Sequence, residues 1–209
     1  MMNRRKFLAT TAAAGSLGLA APAFAHKKGE PYVLPEEYMP SVIKIKNELA
    51  PGEIHVDPGQ FKLFLTLPDR QAIRYTVGIG RGNLYHPGEF YVGAKREWPT
   101  WIPTPAMMGR EPGRYVEFLE GGRFEKGQPG GISNPLGARA LYLYSQSGRD
   151  TYLRIHGTND PRTIGVAVSN GCARLVNDQV TDLYDRVPLN TRVVLYPKQG
   201  AGPAHAPIS

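Results

Sequence analysis

Two alternating runs on either side of a short turn constrain this 209-residue chain more than any other stretch. Phe61, Leu63, Leu65 and Leu67 alternate with Lys62, Phe64 and Thr66. After Pro68-Asp69-Arg70-Gln71, the residues Ile73, Tyr75, Val77 and Ile79 alternate with Arg74, Thr76 and Gly78. A period of two sends successive side chains to opposite faces of a strand, and two such runs across a turn make a β-hairpin. Further strands are expected at 89–94, 140–145, 151–156 and 191–196, while 41–46 reads equally as a short strand or a helical turn. The 24 glycines and 19 prolines fit many short strands joined by turns. The Pro- and Gly-rich segment 98–137 reads as long loops, of the kind that form lids or binding edges. One helix is expected over 178–187: Asn177 suits its N-cap, and Val180, Leu183, Tyr184 and Val187 fall on one face.

The N-terminus follows a different pattern. Arg4-Arg5-Lys6 precedes a moderately apolar run from Phe7 to Ala21, then Ala23-Phe24-Ala25. A basic head, an apolar middle and small residues before a cut after Ala25 make residues 1–25 an export signal. Arg4-Arg5 followed by Lys6-Phe7-Leu8 matches the twin-arginine type, which directs a folded protein to the periplasm. Glycines and alanines weaken the run as a permanent transmembrane anchor. Residues 26–52 form a polar, proline-containing lead-in, 53–197 one domain with its own core, and 198–209 a disordered tail.

The formal net charge is +7, and without Arg4, Arg5 and Lys6 there remain 22 basic against 18 acidic residues. That mild excess suits an acidic polymer and lacks the dense basic stripe of a nucleic-acid reader, so no nucleic-acid partner is expected. A single cysteine, Cys172, cannot form an internal disulfide in an oxidising compartment. It stands in Ser169-Asn170-Gly171-Cys172-Ala173-Arg174, sixteen positions after His156. A thiol becomes a nucleophile as its thiolate, so a partner histidine is needed; His55, His86 and His156 are the candidates outside the termini. His156 closes an expected strand, and a strand, loop and return of that length can bring it to Cys172. Gly171 would let a carbonyl approach closely, and the N–H groups of Asn170, Gly171 and Cys172 could face an oxyanion. Arg174 adds positive charge. One cysteine and scattered histidines give no metal-ligand spacing, so neither metal nor cofactor is expected.

Several separated motifs in order resemble the L,D-transpeptidase catalytic domain of YkuD type. They are His156-Gly157-Thr158, Ile164-Gly165, Ser169-Asn170-Gly171-Cys172-Ala173-Arg174 and Asp182-Leu183-Tyr184. Upstream stand Tyr75-Thr76-Val77-Gly78-Ile79-Gly80, Pro99-Thr100-Trp101-Ile102-Pro103 and Asn134-Pro135-Leu136-Gly137. The resemblance implies a mainly β fold, a β-sandwich with one or two short helices and long Pro/Gly-rich loops. It implies that Cys172 attacks the diaminopimelate carbonyl of a peptidoglycan stem tetrapeptide and D-Ala leaves. His156 is then base and acid, oriented by the Gly157 carbonyl. Ser169 and Arg174 shape the substrate pocket, with Trp98, Trp101 or Tyr144 flanking it. The thioester passes to an amine on a second stem or on an outer-membrane protein. Many members carry His where this chain has Asn170, so Asn170 cannot serve as a second base. Two other functions stay open: a hydrolase of the same bonds, and a wall-binding module without catalysis. A papain-like arrangement is disfavoured because there the cysteine precedes the histidine.

Overall fold

The computed structural model describes residues 32–198. The expected export signal lies outside the described residues, as does all but the first residue of the expected tail. The described elements run β1 (Ser41–Lys44), β2 (Ile54–Asp57), β3 (Lys62–Leu67), β4 (Gln71–Thr76), β5 (Ile79–Gly80), β6 (Gly88–Glu97) and α1 (Pro105–Arg110). They continue with β7 (Arg139–Tyr144), β8 (Asp150–His156), β9 (Ala167–Ser169), β10 (Ala173–Arg174), α2 (Asn177–Arg186) and β11 (Arg192–Leu195), with short 3-10 turns between.

Nine strands form one sheet in the order β1-β4-β3-β2-β11-β6-β7-β8-β10, and β5 pairs with β9 in a second. The fold is mainly β, as expected. The hairpin is β3–β4, and its turn residues Asp69 and Arg70 both take positive φ (59° and 52°). Residues 41–44 resolve as a strand, antiparallel to β4, so the sheet begins inside the expected lead-in. Strand β2 escaped the alternation test because Ile54, His55, Val56 and Asp57 are all buried, leaving no polar face to mark a period. One core cluster takes Ile54, Leu63 and Tyr75 from one half of the sheet and Val92, Leu141, Leu143 and Ile155 from the other. Val180, Leu183 and Val187 of α2 complete it. A second, smaller cluster on the far face of the hairpin holds Phe64, Ala72 and Ile45.

Two local expectations change. Asn177 is the first residue of α2 rather than its cap; Val176 takes the cap position and makes no side-chain cap bond. The Asn177 Oδ1 instead accepts the N–H of Ala138 at 2.9 Å, wedged between Gly137 and Gly157. A Cβ on either glycine would fall within 2.3 Å of that oxygen, so both must be glycine for the wedge to fit. The segment 98–137 is also more ordered than loops imply. It carries α1, whose N-cap Thr104 accepts the Met107 N–H, and an aromatic nest in which Trp101 meets Phe118 edge-on at 5.0 Å. Buried Asn134 ties this segment down: its Nδ2 donates to the carbonyls of Pro99 and Gln128, both at 3.0 Å. No helix among the described residues is long and apolar enough to cross a membrane.

Candidate active site

Strand β8 ends on His156, and β10 runs parallel beside it with Ala173 opposite Ile155 and Arg174 opposite His156. Aligned residues on neighbouring strands share a face, and so do residues two apart along one strand. The register therefore gathers His156, Arg154, Arg174 and Cys172 on one side of the sheet. On the other flank β7 aligns Tyr142 with Arg154 and adds it to the group. The opposite side, with Leu141, Leu153, Ile155 and Ala173, belongs to the core.

His156 is only 3% exposed. Its Nδ1–H donates to the Gly157 carbonyl at 2.6 Å, which puts the ring lone pair on Nε2. Burial pushes the imidazole pKa down to about 3; the Arg174 and Arg154 charges add to this, and the Gly157 hydrogen bond opposes it. Cys172 is half-buried. Burial pushes its thiol up, while a backbone hydrogen bond from Arg154 and the charges of Arg154 and Arg174 pull the other way. The raised thiol and the lowered imidazole both favour the neutral forms of the pair.

The turn before Cys172 is built around buried Ser169. Its Oγ donates to the Cys172 carbonyl at 2.7 Å and accepts the Gly171 N–H at 3.1 Å. The Gly171 N–H is thus occupied, and of the three donors expected for an oxyanion only Asn170 and Cys172 remain open to that role. Gly171 has φ 128°, and a Cβ there would lie 2.9 Å from the Leu84 carbonyl oxygen. The glycine is demanded by backbone conformation and packing, rather than by the approach of a substrate. The buried Nε of Arg174 finds no hydrogen-bond partner.

Cys172 and Asn170 open onto a cavity of about 310 Å³ whose wall includes Trp101, Met107, Arg110, Tyr142, Tyr152 and Arg154. Arg110 of α1 reaches across to donate to Asn170 Oδ1 at 3.0 Å, joining α1 to the cysteine turn. Arg154 is held by both oxygens of Asp150 (2.7 and 2.8 Å) and lies 4.0 Å over the Tyr142 ring. Trp101 is part of this wall. Trp98 and Tyr144 do not line this cavity: Trp98 sits on an exposed bend, and Tyr144 covers Gly93 beside Tyr91. Of the other candidate histidines, His55 shares hydrogen bonds with Tyr196 and Glu53 (3.1 Å each), and His86 is exposed. Arg154 and Tyr142 were missed, although Arg154 lies two positions before His156 on the same strand and so had to share its face. Arg110 had no such signal, because it arrives from 60 residues away.

The profile of the L,D-transpeptidase catalytic domain (YkuD) matches residues 51–195. The chain belongs to the L,D-transpeptidase family. Among relatives of this family, Escherichia coli K12 ErfK/SrfK, called a probable L,D-transpeptidase, is 33% identical over 177 residues, covering 83% of this chain and 51% of its own length. YcfS of the same organism, also called a probable L,D-transpeptidase, is 33% identical over 149 residues, or 69% of this chain and 44% of its own. The chain thus spans about half the length of these relatives. A Brucella melitensis crystal structure, of a protein called a probable carnitine operon oxidoreductase, is 44% identical with a TM-score of 0.51. It covers 78% of this chain and 96% of its own. An Enterococcus faecium L,D-transpeptidase structure is 16% identical with a TM-score of 0.50, over 71% of this chain and 50% of its own, and speaks for the fold.

Proposed function

We propose that this chain catalyses L,D-transpeptidation, with Cys172 as nucleophile and His156 as general base and acid. The observation that carries the reading is an imidazole fixed by Nδ1–H on the Gly157 carbonyl, on the same sheet face as a thiol that opens onto the cleft. That geometry supports a nucleophile that is activated during attack rather than a thiolate waiting at rest.

The acyl donor is a stem tetrapeptide of peptidoglycan. Cys172 Sγ attacks the diaminopimelate carbonyl while His156 Nε2 removes the thiol proton. The resulting oxyanion accepts hydrogen bonds from the Asn170 and Cys172 N–H groups. The imidazolium then returns its proton to the departing D-Ala nitrogen, and the C–N bond breaks to leave a thioester. An amine on a second stem, or on an outer-membrane protein, attacks the thioester; its proton passes to His156, and the released thiolate recovers it. The guanidinium groups of Arg110, Arg154 and Arg174 give the site a positive balance suited to a donor rich in carboxylates. The enzyme works in the periplasm, after export on the signal read in residues 1–25.

The test is incubation with purified tetrapeptide muropeptides and mass spectrometry of the products, with Cys172→Ala as control. Loss of D-Ala with a cross-linked dimer, absent in the control, is the expected result. Conversion to free tripeptide alone would replace this reading with a hydrolase. No Cys172-dependent change would refute catalysis on this donor.

A further inference from the structure

Strand β8 is irregular at one point, and that point faces the cysteine. Tyr152 has φ +61°, and the other five described non-glycine residues with positive φ all lie in turns or bends. A bulky aromatic residue adopts this conformation only when its surroundings over-determine it, and such residues gather at functional sites. Here the surroundings are on view. Between Tyr142↔Arg154 and Tyr144↔Asp150 the strand pairing advances two positions on β7 and four on β8, so β8 bulges outward. Thr151 Oγ1 fills the gap in the ladder, donating to the Leu143 carbonyl at 2.6 Å and accepting the Leu153 N–H at 3.2 Å. Asp150 Oδ1 accepts the Tyr152 N–H at 2.8 Å, and the same carboxylate grips Arg154. The consequence is twofold. The Tyr152 ring swings out to 62% exposure, and its carbonyl oxygen comes to lie 3.9 Å from Cys172 Sγ, within reach of the thiol S–H.

We propose that Tyr152 is a positioning residue: the bulge holds its carbonyl as the resting acceptor of the Cys172 S–H, keeping the sulfur protonated and aimed until an acyl donor enters. The inference rests on the reading of Cys172 as nucleophile and adds to it the element that sets the thiol's resting state. No polar side chain is needed for this, only a backbone forced into the left-handed region; the Arg154 N–H, which donates to the same sulfur, pulls the other way. Arg154 on β8 itself, Arg174 on β10 and Arg110 of α1 also bear on the sulfur or its cleft, so a useful test must leave all three charges and Asp150 in place.

Three variants do so. Tyr152→Asn removes the ring yet accepts a left-handed backbone; Tyr152→Val resists it; Thr151→Val deletes the hydroxyl that props the bulge. The experiment measures the rate of Cys172 alkylation by iodoacetamide against pH, read by intact mass on the full chain, alongside D-Ala release from tetrapeptide muropeptides. A carbonyl that accepts the S–H favours the protonated form, so its loss lowers the alkylation midpoint. Tyr152→Val and Thr151→Val are expected to lower that midpoint by about half a pH unit or more and to slow D-Ala release about tenfold. Tyr152→Asn is expected to keep the wild-type midpoint. An unchanged midpoint in both bulge-breaking variants would overturn the proposal, as would an equal drop in Tyr152→Asn, which would move the effect to the ring. Alkylation midpoints as expected without any D-Ala release from the wild-type chain would support the thiol contact and sink the acyl-transfer reading.

Discussion

A histidine walled off from water and flanked by two guanidinium groups has little affinity for a proton, and His156 is in that position with a pKa near 3. The depression has a consequence for stability. In the unfolded chain the ring titrates near ~6.5, so above that pH neither state is protonated and the native pocket bears no penalty. As pH falls from there towards 3, the unfolded state takes up the proton first and stability is lost. Urea midpoints measured from pH 7 down to pH 4 should therefore fall in the wild-type chain and fall less steeply in His156→Gln; parallel slopes would contradict the assigned cause. A second residue-scale prediction concerns Gly171. Alanine there places a Cβ 2.9 Å from the Leu84 carbonyl oxygen at φ 128°. The strain should cost ~1–3 kcal/mol in chemical denaturation. Because the shift is passed to the next residue, Cys172, turnover should fall by about 100-fold or more.

The elements that carry the proposed site are joined by a side chain as well as by sheet pairing. Asn177 at the start of α2 plugs the space between Gly137 and Gly157 and takes the Ala138 N–H, so helix, β7 entry and β8 exit meet at one oxygen. Gly157 is also the residue whose carbonyl fixes His156. Asn177→Ala should leave the buried Ala138 N–H unpaired at a cost of ~1–3 kcal/mol. It should also lower kcat more than it raises KM, since what loosens is the base and not the cleft. Asn177→Asp retains an acceptor oxygen and places a negative charge in the first helical turn, where it is favoured, so it should restore most of both losses. Failure of the aspartate to rescue while the alanine is impaired would show that the amide nitrogen, not the oxygen, does the joining. The sequence pointed to Asn177 for a different reason: Asn before an apolar-periodic run reads as a cap, and Gly137 and Gly157, far along the chain, gave no local sign that its oxygen is taken elsewhere. Similarly, α1 was hidden in a Pro- and Gly-rich stretch, because six residues are too few to display a period.

At the scale of the molecule, what could be read depended on how local the information was. Alternation revealed β3 and β4, whose far face packs a distinct second cluster, and the strands expected at 89–94, 140–145 and 151–156 are found as β6, β7 and β8. It was silent on β2, buried on both faces, and on the partners of β11, which are fixed by contacts far along the chain. The motif around Cys172 could be read, yet the cleft in front of it depends on Arg110 and the bulge at Tyr152, which have no local signature. The same non-local logic yields a last prediction. Strand β11 lies between β2 and β6, parallel to one and antiparallel to the other, and in the strand order it joins β1-β4-β3-β2 to β6-β7-β8-β10; the isolated Gly78–Arg174 bridge is a second, smaller link. Val193 is 0% and Leu195 4% exposed, so the strand also supplies core. A chain ending at residue 190 retains every residue of the cysteine turn and of β8, but leaves two half-sheets with facing open edges and an unfilled core. Such a chain should lack a cooperative thermal transition, associate through those edges, and show no Cys172-dependent release of D-Ala. A sharp transition in the truncated chain, with turnover retained, would mean that β6-β7-β8-β10 and α2 fold as a unit on their own, and that β11 closes the sheet without holding the site together.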